Sequence, residues 1–531
     1  MSPTLKEEST SEGFLALTLA SFLVKLLSLI YVPLLLYLIK AEAHGVYITA
    51  YDFFAFAFVI TNEGLTKGIA RMVSDRMARG DLAGAHQVFR MTRRMLLVLG
   101  LAVGAALTFG AGPLSELAQA PKAREALTLL GPSVAVCSVS SAYRGYFQGR
   151  RVLKQNAISM VLEQSANVLF SLLFAVLLLP ISMEMGVAGA TSGTLLGALL
   201  SVAYLMWVHR RTQESPEALG SALRENRTVL RTLLAYTLPL SIATAATQFG
   251  NIIDVINVKS RLVVSGLSTA QANIAYSQLS SCKTMIAVPL TVMAALATSL
   301  FPAITRAVAL GDREEVARKV NLSVKLNYLL CFPSAVGLMV VAGPANRAIF
   351  DGAAERGLLI ALGAGVVVFS GLILIQTVLL QAAGYQRQVL KPLILGIVVK
   401  LLFNYFLVGQ PQWRAQGAVV GSYAQSVVTF LLCERIIRGS YRLAVPHGAL
   451  AAKAALGSLL MGAVLWGVQR LVPVAPGRLA NAGLLLGLMV LGIFTYGAWI
   501  LGARAVKFQE FSNLAPKLAR KLPPSFKRFF G

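Results

Sequence analysis

The stretch SFLVKLLSLIY, residues 21–31, decides the class of this chain. It lies inside an apolar run from Phe14 to Ile39, long enough as a helix to cross a hydrocarbon core about 30 Å thick. One charge, Lys25, interrupts the run. A lysine at the centre of a membrane helix costs about 2.5–3.5 kcal/mol on insertion scales, so such a residue normally faces a protein interior or a wet cavity. The run is too long for the apolar part of a usual signal peptide. Its leader carries Glu7, Glu8 and Glu12, and no small-residue cleavage site follows. A retained membrane helix with a buried ammonium is expected.

The rest of the chain has the same character. Of its 531 residues only 13% are charged and the mean hydropathy is +0.69, where a soluble domain carries about 25% charged residues. Fourteen apolar segments are long enough to span a bilayer: 14–39, 44–66, 95–119, 125–147, 157–180, 185–208, 229–256, 272–304, 324–345, 357–384, 389–409, 416–437, 447–471 and 480–503. An all-α integral membrane protein of about fourteen transmembrane helices follows. The four cysteines, Cys137, Cys282, Cys331 and Cys433, all fall inside apolar segments without CxxC spacing, which points to buried thiols and not to disulfides or zinc.

A net charge of +25 raises the question of nucleic acid. The distribution answers it. With the N-terminus cytoplasmic, 34 of the 48 Lys and Arg fall in or at the edges of cytoplasmic loops and the C-terminal tail, and 10 on the external side. This is the positive-inside bias of a multi-pass protein in a bacterial plasma membrane with both termini cytoplasmic. It removes the need for a nucleic-acid partner.

The chain also repeats itself. KGIARMVSDRMARGD (67–81) after the second segment matches FPAITRAVALGDREEVA (301–317) after the eighth, with Arg71 and Arg306 offset by 235 and Gly80 and Gly311 by 231. The VLK of QGRRVLKQ (148–155) returns in AGYQRQVLKP (383–392) at an offset of 237, and GATSG (189–193) returns as GAVVG (417–421) at 228. Each repeat holds six segments, an even number, so both copies enter the membrane from the same side, as in parallel-repeat transporters. The division expected is an N-terminal lobe 1–208, a cytoplasmic linker 209–228, a C-terminal lobe 229–440, two added helices in 441–505 and a basic tail 506–531. The tail interleaves lysines and arginines with phenylalanines and leucines, the pattern of a helix lying on anionic lipid.

No Walker A, HExxH or GxSxG motif is present, so neither an ATPase nor a hydrolase is indicated. The chemistry rests on intramembrane polar groups. The candidates are Lys25 in the first segment, Asp52 and Glu63 in the second, and Glu163, Gln164 and Asn167 in the fifth, with Asn251 and Asp254 in the seventh and Lys283 in the eighth. Gln164 and Asn167 share a helix face, as do Asn251 and Asp254. Lys25 and Lys283 read either as two ammoniums awaiting an anionic headgroup, or as internal pairs with Asp52 and Asp254. Glu163 reads as functional or as a satisfied inter-helix hydrogen bond. Arg144, at the cytoplasmic end of the fourth segment, reads foremost as an interfacial anchor.

Several stretches resemble the multidrug/oligosaccharidyl-lipid/polysaccharide exporter superfamily, and within it the bacterial stage V sporulation protein B and lipid II flippase-like branch. They are FLVKLLSLIYVPLL, GLTKGIARMVSDRMARGD, YRGYFQG with the following LEQSANVLF, TQFGNIIDVINV and PLTVMAALATSLFPAITRA, spread from residue 14 to about residue 440. The resemblance implies a two-lobed, non-enzymatic carrier. It would flip an undecaprenyl-diphosphate-linked saccharide, lipid II first among them, from the inner to the outer leaflet by alternating access. It would act as a monomer without a cofactor, driven by membrane potential, H+ or Na+. It places Lys25 and Lys283 at the family's cationic positions in the first and eighth helices. The second helix departs from the pattern: it has Asp52 and Glu63 at depth and only Lys67 near its end. A flippase for another lipid-linked saccharide, a cation-coupled multidrug exporter and a non-transporting scaffold are the competing readings.

Overall fold

The computed structural model describes residues 10–211, 226–350, 352–441, 445–472 and 477–504. The linker expected at 209–228 falls mostly outside them, and the basic tail almost wholly so. Among the described residues there are helices and connections but no strand. Lipid offers no hydrogen-bond partner to the backbone, so each span must satisfy its own amides, which a helix does.

All fourteen apolar segments map onto helices. The first two lie in α1, Thr10–Ala78, which is broken at Lys40 (φ 68, ψ 169) into a first arm, 10–39, and a second arm, 41–78. The third covers α2 (Leu82–Phe109) and the short α3 (Ala111–Leu117), and the fourth to sixth are α4 (Arg124–Gly149), α5 (Leu153–Leu178) and α6 (Met183–Arg211). The seventh and eighth are α7 (Asn226–Val264) and α8 (Thr269–Ala309), and the ninth is α9 (Arg313–Ile349). The tenth is a pair, α10 (Ala354–Gly363) and α11 (Val366–Ala382), bent by 42°. The eleventh is α12 (Gln386–Phe403) running into a π-helical turn at Asn404–Val408, followed by α13 (Arg414–Tyr441), α14 (His447–Leu471) and α15 (Arg478–Gly502). By length and hydropathy alone, ten helices of the described residues qualify as spans, or eleven with the bent pair, α1 counting once despite its two arms. The protein is a multi-pass membrane protein. Its outer surface fits: Phe22, Phe109, Leu169, Trp466, Leu486 and Phe494 are exposed.

The sequence repeat has a structural counterpart. Gly80 and Gly311 both take positive φ, 71° and 69°, a backbone state that only glycine enters freely. Each is followed by an aspartate that caps the next helix: Asp81 accepts from the Gly84 amide at 2.7 Å and Asp312 from the Glu315 amide at 2.9 Å. The GATSG and GAVVG glycines also match. A Cβ on Gly193 would strike Asn167 and Ser171 of α5, and one on Gly421 would strike Asn404 at the end of α12. Each glycine lets one helix pass close to its neighbour.

Two compact units divide the chain, Met1–Ser277 and Gln278–Gly531. In the first, α7 runs antiparallel along the second arm of α1 from Gly68 to Thr49. Gly68 lies against Thr237, Gly64 against Ser241 and Phe56 against Phe249, with Lys259 bonded to Thr49 at the far end. That packing groups α7 with α1–α6. In the second unit α14 and α15 pack on α9 through Val341, Met461, Leu465, Leu488 and Tyr496. A polar hub pins the start of α14. The His447 ring meets the Tyr328 hydroxyl at 2.8 Å and lies 3.3 Å from Glu434, close enough for an ion pair though without hydrogen-bond geometry. Glu434 also accepts from Gln376 and Arg438.

Candidate functional site

Lys25 is exposed on the first arm of α1, flanked by exposed Phe22, Leu26 and Ile30. It makes no hydrogen bond or ion pair within the described residues. The Asp52 partner considered from the sequence is engaged elsewhere: its Oδ2 accepts from the Tyr276 hydroxyl of α8 at 2.9 Å.

Asp52 belongs to a buried polar group on the second arm of α1, α7 and α8. Lys259, fully buried, donates to the Thr49 hydroxyl at 2.9 Å, lies 5.9 Å over the Tyr276 ring and feels the Asp52 charge. Asp254, 2% exposed, acts on the same tyrosine through its charge. Two turns up the same arm from Asp52, His44 Nδ1 meets the Ser277 hydroxyl at 2.8 Å. Burying this lysine's ammonium costs desolvation energy, which the Thr49 hydroxyl and the nearby Asp52 charge offset in part. Sequence reasoning missed Lys259 because it ended the seventh segment at residue 256. The signal was Gly266, whose positive φ of 93° follows the end of α7 and so extends the helix past the lysine.

The remaining candidates divide. Asn251 donates to Gln248 at 2.5 Å on its own helix, α7. Lys283 is half-buried in α8. Glu63 is on the second arm of α1, and its side chain lies outside the described ones.

Glu163, Gln164 and Asn167 come together on one cavity of about 150 Å³ inside the first unit. Tyr51, Phe54 and Phe58 of the second arm form its facing wall, and Cys137 of α4 and Thr194 of α6 close it. Glu163 is held by Arg144 at 2.5 Å. Arg144 also reaches the Ser159 and Ser201 hydroxyls, each at 3.1 Å. The interfacial anchor expected from the sequence is instead a clamp that ties α4 to α5 and α6. An arginine placed there has a carboxylate and two hydroxyls within reach, which outcompete a snorkelling position.

The comparisons with known proteins agree with this architecture. The family described as polysaccharide biosynthesis protein matches residues 11–308. Lipid II flippase MurJ of Bacillus subtilis (strain 168) is 22% identical, over 97% of this chain and 98% of its own length. Stage V sporulation protein B of the same organism is 24% identical, over 81% and 83%. Among solved structures, an inward closed conformation of lipid II flippase MurJ has a TM-score of 0.67 and 13% identity, covering 94% of this chain and 99% of that one. An inward-facing MATE multidrug resistance transporter of the MOP superfamily has a TM-score of 0.61 and 16% identity, covering 79% and 95%. At such identities the structures establish the fold. With a family match over more than half its length and the helical repeat described above, the chain belongs to the polysaccharide biosynthesis protein family.

Proposed function

We propose that the protein is a flippase that carries an undecaprenyl-diphosphate-linked saccharide, lipid II first among them, from the inner to the outer leaflet of the bacterial plasma membrane. It is a carrier and not an enzyme, and it works as a monomer by alternating access. The observation that carries this reading is Lys25. An ammonium kept in an apolar span with no described counter-charge needs an anion or water to offset its desolvation. A lipid diphosphate supplies two negative charges at membrane depth, and Lys25 and Lys283 are the cations assigned to it. The extent of the match to the lipid II flippase, 97% of the chain, supports the substrate class. The sporulation relative leaves another lipid-linked saccharide as the second reading. The sequence offers no nucleotide site, so the driving force is the membrane potential or a gradient of H+ or Na+.

Native mass spectrometry of the purified protein with lipid II and with undecaprenyl phosphate, for wild type and Lys25→Ala, tests the assignment. Preferential binding of lipid II that is lost in the variant is expected. Equal binding of both lipids by both proteins would remove Lys25 from the site and advance the competing cargoes.

A further inference from the structure

We infer that the cavity inside the first unit is a subsite for one neutral sugar ring of the cargo. This rests on the carrier reading above and deepens it. One wall is an aromatic ladder down the second arm of α1. Tyr47, Tyr51, Phe54 and Phe58 follow one another with ring centroids 5.7, 5.5 and 6.0 Å apart, and the last three face the cavity. The opposite wall carries Glu163, Gln164 and Asn167 of α5. A pyranose has this polarity: C–H groups on its faces and hydroxyls round its edge. Aromatic rings match the faces, and amide and carboxylate groups match the edge.

Thr194 is the second, independent observation. It is 8% exposed, lines the cavity, and its hydroxyl has no hydrogen-bond partner among the described residues. Its neighbours on α6 behave otherwise: Thr191 bonds back to the Ala188 carbonyl at 2.8 Å and Ser192 to the Gly189 carbonyl at 2.7 Å. A buried hydroxyl left without a partner is costly, so one turned into a cavity marks the place of a guest with polar groups.

Charge selects the guest. Arg144 lies 2.5 Å from Glu163 and neutralises it, so the cavity offers no net negative field to a metal cation and no free cation to a phosphate. The paired carboxylate still has lone pairs for hydroxyl donors. Size agrees: at about 150 Å³ the cavity is smaller than the roughly 300–1,000 Å³ of a usual ligand pocket, so it takes a single ring and not a whole headgroup.

Full-length wild type and the variants Thr194→Val, Gln164→Leu and Tyr51→Ala are titrated in detergent with lipid II and with undecaprenyl diphosphate, which lacks sugar. Bound lipid is read by native mass spectrometry and melting temperature is measured in parallel. Each variant is expected to lose about threefold to tenfold in affinity for lipid II and nothing for undecaprenyl diphosphate. Thr194→Val keeps the side-chain shape, so it decides the matter if Tyr51→Ala melts early. Unchanged lipid II affinity in Thr194→Val and Gln164→Leu, or equal losses for both lipids, overturns the subsite and leaves the carrier reading standing. So does a melting temperature that Na+ raises in wild type and not in Glu163→Gln, which would give the cavity to a cation. Wild type that binds neither lipid overturns the carrier reading, and the subsite falls with it.

Discussion

Arg144 and Glu163 show how a single pair can organise three helices. Their side chains are 19% and 26% exposed, so both charges are largely desolvated and each depends on the other. Removing one partner of a buried pair costs about 3–5 kcal/mol, and the residual exposure here lowers that to about 2 kcal/mol. Arg144→Met is expected to destabilise the protein by about this much in a detergent melt, and adding Glu163→Leu is expected to restore most of it. Additive losses would mean that the two side chains do not act as a pair. At this scale the sequence marked the costly residues and not their partners. Asp52, Asp254 and Glu163 stood out because a carboxylate in an apolar run is rare. Tyr276, the partner of Asp52, is 224 residues away, and Lys259 lay beyond a boundary drawn two turns early. A residue's desolvation cost is local, whereas its compensation is set by the fold.

The helices themselves were legible, because lipid leaves the backbone no other solution and because hydropathy measures that constraint. Irregularities were not. The bend between α10 and α11, the π-helical turn after α12 and the clamp at His447 leave little hydropathy signal, since they depend on what packs alongside. The Gly-Asp turns are an exception, visible as motifs and seen again as matched backbone. Gly80→Ala and Gly311→Ala are each expected to cost about 1 kcal/mol, because alanine disfavours positive φ. A melt that falls for one and not the other would break the equivalence of the repeats. His447→Ala is expected to speed hydrogen exchange in the first turns of α14, where the ring links that helix to Tyr328 of α9 and Glu434 of α13. Unchanged exchange would assign the docking of α14 to its apolar face alone.

At the scale of the whole molecule, the sequence repeat suggested a boundary at 209–228, whereas the compact units meet between Ser277 and Gln278. The reason is α7, whose length is spent against the second arm of α1 from Thr237 to Lys259. Repeats record duplication of the chain, and compactness records which helices touch, so the two need not divide it at the same place. The carrier reading belongs to this scale because it requires the molecule to expose Lys25 and Lys283 to a lipid diphosphate during a transport cycle.

The central claim is that the ammonium in SFLVKLLSLIY handles an anionic lipid headgroup. Its most direct test is transfer of fluorescent lipid II between leaflets of proteoliposomes under an imposed membrane potential, for wild type, Lys25→Ala and Lys25→Arg. Transfer by wild type, a loss of tenfold or more in Lys25→Ala and partial recovery in Lys25→Arg are expected. Full transfer by Lys25→Ala, reconstituted to the same density, would contradict the claim.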